Sequence, residues 1–220
     1  PSAAFYALYS GYRANDPVAT LRYKDLAEAD TARLQLTLQY VADTYRAQGD
    51  TIGYVSTLEK GFDKNPVSEY FFTHLFDYRF QRGDTLQALT LCNRSLAINA
   101  KSKVAMLAKS AVLLTMQRYD ECVQLCDAVI ALDDSLADAY LNAGLAYFNQ
   151  AVKIDNAPKH TRAELAKMLE FYRNSLKYMQ TYRKLAPTRK DLWAMPLYTI
   201  YLNLNMGKEF VEMDAIIKSL

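Results

Sequence analysis

Apolar residues recur along the chain with the three-and-four spacing of an amphipathic helix. In residues 35–48 these positions are Leu38, Val41, Ala42 and Tyr45. Gly49 can end this helix in the left-handed conformation, and Asp50 can cap the next one by accepting a hydrogen bond from its free amides. A second apolar run follows and ends at Asn65-Pro66, because proline disfavours helix in the residue before it. The pattern predicts a helix, a tight turn and a second helix.

The same arrangement returns with a period of 34 residues, as Gly49-Asp50-Thr51 recurs at Gly83-Asp84-Thr85. Successive shifts bring apolar residues into common columns, one of which holds Leu38, Phe72, Met106 and Tyr140. A period in this range is typical of repeat architectures. The pattern predicts one all-α repeat domain over 1–220, with a degenerate or capping helix pair at 1–34 and regular units at 35–68, 69–102 and 103–136.

The fourth unit departs from the pattern. Its first helix fits, but the residues that should close the turn are displaced by about 19 positions. Helical character continues to Ile154, breaks near Asn156-Ala157-Pro158 and resumes from Thr161 to Ala186. We interpret 137–189 as a unit with two lengthened helices, either a functional protrusion or a structural elaboration. Pro187 and Trp193 restore the register in a terminal unit at 190–220.

The period and several residues resemble the tetratricopeptide repeat family, including its bacterial members. The matching residues are Val41, Ala42, Tyr45, Gly49, Pro66, Ala88, Tyr119, Tyr140, Gly144, Tyr147, Pro187 and Trp193. The resemblance implies a right-handed α-solenoid of antiparallel helix pairs that binds a polypeptide through a concave groove lined by the first helices. It does not extend to co-chaperones that hold a carboxylate with Lys and Asn, because the corresponding positions include Asp43 and Asp77.

The groove implied by this resemblance is polar at first and apolar from Leu107 onward. Its candidate residues are Tyr70, Thr73, Asp77, Phe80, Leu107, Leu114, Leu141, Leu145, Phe148, Tyr198 and Tyr201. Monomers rarely leave a large apolar stripe uncovered. We therefore expect a protein or peptide, another copy of the chain, or the long inserted helices to cover it. The alternative is that several of these residues pack between neighbouring units.

Charge is distributed unevenly along the chain, whose net charge is +2. Residues 151–190 hold ten Lys or Arg against three acids, a net charge of +7. The candidate basic patch on the long second helix consists of Lys167, Arg173, Lys177, Arg183 and Lys184. The alternative function is therefore a structural assembly module that docks through the basic inserted helices at 151–190 to an acidic protein or an anionic surface. A long exposed helix also needs soluble residues, which would explain the same charges without a partner. Nucleic acid is the least favoured partner, because no base-reading fold accompanies the patch.

Catalytic chemistry is not indicated. His74 and His160 lack metal-ligand spacing, and Cys92, Cys122 and Cys126 lie among apolar residues, as small buried thiols do. The sequence contains no glycine-rich phosphate loop, GxSxG elbow, HExxH or CxxC pair. We therefore expect a protein that is not an enzyme and uses no cofactor or metal.

The compartment stays open between the bacterial envelope and the cytoplasm. No stretch approaches the roughly 20 apolar residues of a membrane span. The chain begins at Pro1 without Met or an export leader, which we interpret as a processed or truncated product. The lengthened penultimate unit resembles bacterial envelope-associated repeat proteins, whereas the thiols are compatible with a reducing cytoplasm.

Overall fold

The computed structural model describes residues 2–219, and every regular element within that range is a helix. The chain divides into two compact units, one ending at Ala105 and the other beginning at Met106. The first unit contains α1 (Ser2–Arg13), α2 (Pro17–Arg22), α3 (Lys24–Glu28), α4 (Leu34–Gln48), α5 (Thr51–Lys64), α6 (Glu69–Gln81) and α7 (Thr85–Ile98). The boundary falls within α8 (Lys103–Thr115). The second unit continues with α9 (Tyr119–Leu132), α10 (Ala137–Asp155), α11 (Arg162–Leu185), α12 (Lys190–Asn203) and α13 (Gly207–Lys218).

The turns inside the helix pairs carry the period of the sequence into the backbone. Left-handed φ angles occur at Asn15 (55°), Gly49 (73°), Gly83 (78°) and Gln117 (58°), each 34 residues from the next. A fifth, at Asn205 (60°), follows the lengthened fourth unit. Glycine adopts this conformation without a Cβ penalty, whereas asparagine and glutamine do so at a cost. One turn geometry is therefore retained even where the glycine is lost.

The helix ends predicted at the first turn are present. Gly49 is the left-handed residue that closes α4, and the Asp50 side chain accepts a hydrogen bond from the Gly53 amide at 2.9 Å to cap α5. Asp84 occupies the equivalent place before α7, but its side chain makes no capping bond. Asp16 caps α2 through the Ala19 amide at 3.0 Å. The second helix of this first pair is broken at Tyr23 into α2 and α3, a break that the sequence pattern did not predict.

Close helix contact in the first unit depends on Gly11. A Cβ at this position would lie 2.7 Å from the Thr20 backbone nitrogen and 2.9 Å from the Ala19 carbonyl carbon. A separate buried cluster is formed by Phe5 and Leu8 of α1, Ala27 of α3 and Val41 of α4. The Gly11 contact therefore sets the close approach of α1 to α2, and the cluster joins α1 and α3 to α4.

The lengthened hairpin of α10 and α11 forms the core of the second unit. Tyr172, Met179 and Tyr182 of α11 are buried in one cluster with Trp193 and Leu197 of α12. The Ser175 hydroxyl donates to the Gly144 carbonyl oxygen at 2.7 Å and so ties the two long helices together. Thr161 and Glu164 form a reciprocal capping box at the start of α11. The hairpin tip at 156–167 is exposed apart from half-buried His160.

Candidate partner-binding surfaces

A hydrogen-bonded cluster centred on Asp43 occupies the first-helix surface of the first unit. Tyr70 of α6 donates its hydroxyl hydrogen to Asp43 Oδ1 of α4 at 2.8 Å. Tyr12 of α1 donates to Oδ2 at 3.4 Å, and Arg46 donates to Oδ1 at 3.0 Å. One carboxylate therefore links three first helices. Burial, followed by the hydrogen bond to Asp43, raises the pKa of Tyr70 far above its ordinary value, so the phenol remains a donor.

His74 lies against the aromatic part of this cluster. Its ring centroid is 4.5 Å from that of Tyr70 and 6.4 Å from that of Tyr54 on α5. Burial lowers the pKa of His74, and the nearby Arg46 charge lowers it further. The imidazole is therefore held towards its neutral form as a half-buried packing residue.

A cleft of about 500 Å³ opens beside the cluster, between the end of α1, the following turn and α4. Its walls include Tyr12, Arg13, Asp16, Asp43 and Arg46. The two carboxylates already accept internal hydrogen bonds, Asp16 from an amide and Asp43 from its three donors. The wall of the cleft is therefore polar and of mixed charge, and both of its carboxylates already accept hydrogen bonds from other groups of the chain.

The first-unit residues predicted for the groove share α6. Tyr70 and Thr73 are half-buried, and Asp77 is exposed. Phe80 is half-buried and stacks on Phe76 with ring centroids 5.2 Å apart. Tyr12, Tyr54 and His74 join this surface, although sequence reasoning did not place them there.

Five of the apolar residues predicted for the groove of the second unit remain partly exposed. Leu107 and Leu114 lie on α8, Leu145 and Phe148 on α10, and Tyr198 on α12. Phe148 packs edge-on against Tyr172 at 6.1 Å, and Tyr198 lies 4.7 Å from Phe210. Two other members, Leu141 and Tyr201, are only 9% and 3% exposed and belong to the core. Their side chains are therefore not available to a partner.

The predicted basic residues differ in what they contact. Arg183 donates to Glu212 of α13 at 2.7 Å and lies 4.9 Å from the Trp193 ring, so it holds α11 to the terminal pair. Lys167 lies 5.4 Å from the Phe171 ring. Arg173, Lys177 and Lys184 are exposed, and within residues 2–219 none of the three forms an ion pair. Arg173 also borders a cleft of about 420 Å³ next to the turn between α12 and α13.

An aromatic row formed by rings of α10 and α11 beside α9 was not foreseen from the sequence. Tyr147 stacks on Tyr178 at 5.9 Å and lies 6.2 Å from Phe171, while Tyr140 lies 6.5 Å from Tyr178. The Tyr178 hydroxyl donates to Asp127 Oδ1 at 2.7 Å. Burial, then the negative charges of Asp127, Asp120 and Glu170, raises the pKa of Tyr147. The only sequence signal for this surface is the seven-residue spacing of Asp120, Asp127 and Asp134.

The described part of the chain offers neither a metal site nor a membrane-spanning helix. Residues 2–219 contain no group of three His, Cys, Asp or Glu side chains arranged to hold a metal ion. Among the helices of this range, none combines the length and apolar character required to cross a membrane. All three cysteines are buried, as the sequence predicted.

Neither a family model nor a curated protein sequence matches the chain. Solved structures do match it. A tetratricopeptide repeat protein from Parabacteroides merdae aligns with a TM-score of 0.66, covering 99% of this chain and 78% of its own length at 13% identity. MamA from Desulfovibrio magneticus gives a TM-score of 0.61, covering 84% of this chain and 96% of its own length at 18% identity.

A human IFIT1 dimer with m7Gppp-AAAA also aligns, with a TM-score of 0.64 and 13% identity. That match covers 94% of this chain but only 47% of IFIT1. At these identities the likeness concerns the fold. The chain therefore has an all-α, tetratricopeptide-like solenoid fold, which confirms the fold class predicted from the 34-residue repeat.

Proposed function

We propose that this protein is a non-enzymatic scaffold that binds a polypeptide through the surface of its first helices. The supporting observation is the row of partly exposed apolar side chains in the second unit. The row consists of Leu107, Leu114, Leu145, Phe148 and Tyr198. These residues lie on α8, α10 and α12, the first helices of successive pairs. First helices line the inner surface in repeats of this kind, where extended binding surfaces form.

The chemistry of this surface favours a partner with an apolar face. Aliphatic side chains with aromatic anchors accept an amphipathic helix in the helix-in-groove mode. In the first unit, the Asp43 cluster instead presents fixed hydrogen-bonding groups, and its carboxylate would repel a peptide C-terminus. An amphipathic segment held by apolar contacts is therefore the ligand that this surface suits best.

The test is a double substitution on α8. Leu107→Asp with Leu114→Asp places two charges on the first-helix surface, seven residues apart. The matched control is Leu132→Asp with Val211→Asp, which changes two exposed apolar residues on second helices. Affinity capture from the native host, quantified by mass spectrometry, should lose its specific partner with the first variant and retain it with the control. Equal capture by both variants, with unchanged circular dichroism, would refute the first-helix surface.

A second candidate function is docking of an acidic protein surface onto α11. It is supported by the exposure of Arg173, Lys177 and Lys184 without an ion pair in the described range. Salt separates the two candidates, because exposed charges are screened more strongly as the Debye length shortens. Charge-driven capture should fall steeply between about 0.05 M and about 0.5 M salt, whereas capture by the apolar surface should change little.

A further inference from the structure

The second unit presents two charged strips of opposite sign on neighbouring second helices. α9 and α11 both pack against α10, and short connections make each antiparallel to it, so the two helices run parallel. The hydrogen bond from Tyr178 to Asp127 fixes their register. Because each helical residue rises 1.5 Å, residues seven positions further along lie about 10.5 Å away on both helices. The level of Asp120 therefore corresponds to that of Phe171, whereas Asp134 lies beyond the end of α9 at Leu132 and has no level set by the helical rise.

The acidic strip follows α9 and the aromatic row beside it. Its carboxylates are Asp120 and Asp127 on α9 and Asp134 two residues beyond the end of this helix, and all three are exposed. Residues 119–138 contain six acids and no Lys or Arg. The half-buried rings of Tyr147 and Tyr178 lie alongside, and aromatic faces attract cations. This strip therefore suits a row of positive side chains.

The basic strip follows the outer face of α11. Lys177 and Lys184 are seven residues apart, and Arg173 precedes Lys177 by one helical turn. The buried residues Tyr172, Ser175 and Met179 lie on the opposite side of the helix, so the three cations face solvent. Exposed lysines of this kind are screened and flexible in a monomer. The seven-residue spacing of Lys177 and Lys184 equals that of Asp120 and Asp127 on α9.

We propose that this face of the second unit binds a second copy of the chain in a two-fold dimer, with the basic strip of each copy on the acidic strip of the other. A two-fold axis parallel to the helices exchanges the two strips and leaves the level of every residue unchanged. Lys177 then meets Asp127 of the second copy and Arg173 meets Asp120, while Lys184 lies at the end of the strip where Asp134 follows α9. A two-fold interface must be complementary to itself, and this face is.

The inference rests on the second candidate function, since it gives the basic strip a specific partner. It does not depend on the first-helix surface, which uses α8, α10 and α12. Exposed ion pairs are individually weak and are screened by salt. The dimer should therefore be of modest affinity, with a dissociation constant that rises at least about tenfold between low and high salt.

Sedimentation velocity on the full chain tests the assembly. At concentrations of about 100 μM and about 0.05 M salt the protein should sediment as a dimer, and at about 0.5 M salt as a monomer. A monomer under both conditions would overturn the proposal, as would a dimer unaffected by salt.

Charge reversal tests the pairing itself. Lys177→Glu with Lys184→Glu should be monomeric, because the two negative strips repel. Asp127→Lys with Asp134→Lys should also be monomeric, because both strips are then positive and repel each other. An equimolar mixture of the two variants should form a heterodimer, because both halves of the interface again pair opposite charges. Failure of the mixture to associate, with both variants folded by circular dichroism, would refute the arrangement.

Two controls make the outcome specific. Lys190→Glu with Lys208→Glu changes the net charge equally at exposed sites outside the strips and should leave the dimer intact. The single variants Lys184→Glu and Asp134→Lys disrupt no described hydrogen bond or ion pair of their own chain, so they provide the same mixing test at lower risk to the fold. Leu107→Asp with Leu114→Asp should also dimerise, which separates this result from the first-helix surface.

Retention of the wild type on phosphatidylserine-containing vesicles, without dimers in solution, would assign the basic strip to a membrane surface and overturn the proposal.

Discussion

Tyr70 and Asp43 join the first helices of two successive helix pairs through a hydrogen bond of 2.8 Å. The phenol is half-buried, and the carboxylate keeps Arg46 and Tyr12 as further partners. The bond therefore contributes stability at the surface on which a partner would bind. It can be removed without removing the ring that packs beside it.

Tyr70→Phe should lower the free energy of unfolding by about 1 kcal/mol, the usual net value of such a bond. The loss is limited because Asp43 remains partnered. Tyr78→Phe on the same helix is the matched control, since no described hydrogen bond uses its hydroxyl, and it should change stability little. Urea denaturation of both variants measures the difference. Equal effects would mean that the Tyr70 hydroxyl adds nothing beyond its ring.

His74 should make the stability of the fold depend on pH. Its pKa is lowered in the folded state by burial, below the ordinary value of 6.5. The unfolded chain therefore takes up the proton first as the pH falls. This contribution is fully present above the ordinary pKa and is lost progressively as the pH falls from there through the lowered pKa of the folded protein.

The experiment compares the wild type with His74→Gln. Urea midpoints at about pH 7.5 and about pH 5.5 should fall more for the wild type than for the variant. Carboxylates titrate in both proteins, so their contribution to the change in midpoint cancels in the comparison. A wild-type protein with no greater acid sensitivity than the variant would contradict the effect of burial.

The left-handed turns allow a paired test of backbone strain. Gln117 adopts a φ of 58° at the place where the preceding repeats use glycine. Gln117→Gly should therefore stabilise the chain by about 1 kcal/mol, and Gly83→Ala should destabilise it by about the same amount. Thermal denaturation of the two variants should shift the midpoint in opposite directions. Shifts of the same sign would exclude strain at Gln117.

Gly11 should tolerate no side chain. Gly11→Ala would place a methyl group 2.7 Å from the Thr20 backbone nitrogen, and backbone cannot move aside as a flexible side chain can. We expect a loss of about 1–3 kcal/mol, typical of an overpacked contact. Gly207→Ala, with nothing within 4 Å of the added carbon, should be neutral or slightly stabilising. If the two substitutions cost the same, the close approach of α1 and α2 is not what stabilises the first pair.

Much of the helical architecture was predictable because its signals are local. Gly49 ends a helix through its left-handed conformation, Asp50 caps the next helix, and Pro66 ends that helix through steric conflict. The 34-residue period then predicts the equivalent helix ends in the later repeats. The lengthened pair was found for the same reason, since Pro158 interrupts the helical run. The break at Tyr23 contains no glycine or proline, so the sequence pattern did not predict it.

The candidate sites were less predictable, because they depend on contacts between distant residues. Leu141 and Tyr201 fall in the periodic position of a groove, yet they pack into the core that the long α11 helps to build. Tyr178 meets Asp127 across 51 residues of sequence, and the insertion lies between them. Periodicity assigns a residue to a face of its own helix. It does not show which neighbouring helix covers that face.

The capping box of Thr161 and Glu164 makes the start of α11 independent of the exposed connection before it. The Thr161 and Glu164 amides at that helix end are satisfied by side chains of the same two residues, so this cap does not require one conformation of the connection. A short epitope or fluorophore-binding tag inserted after Lys159 should therefore leave the melting temperature nearly unchanged. This loop is a permissive attachment point from which the protein can be labelled, immobilised or tracked without altering either of its candidate binding surfaces.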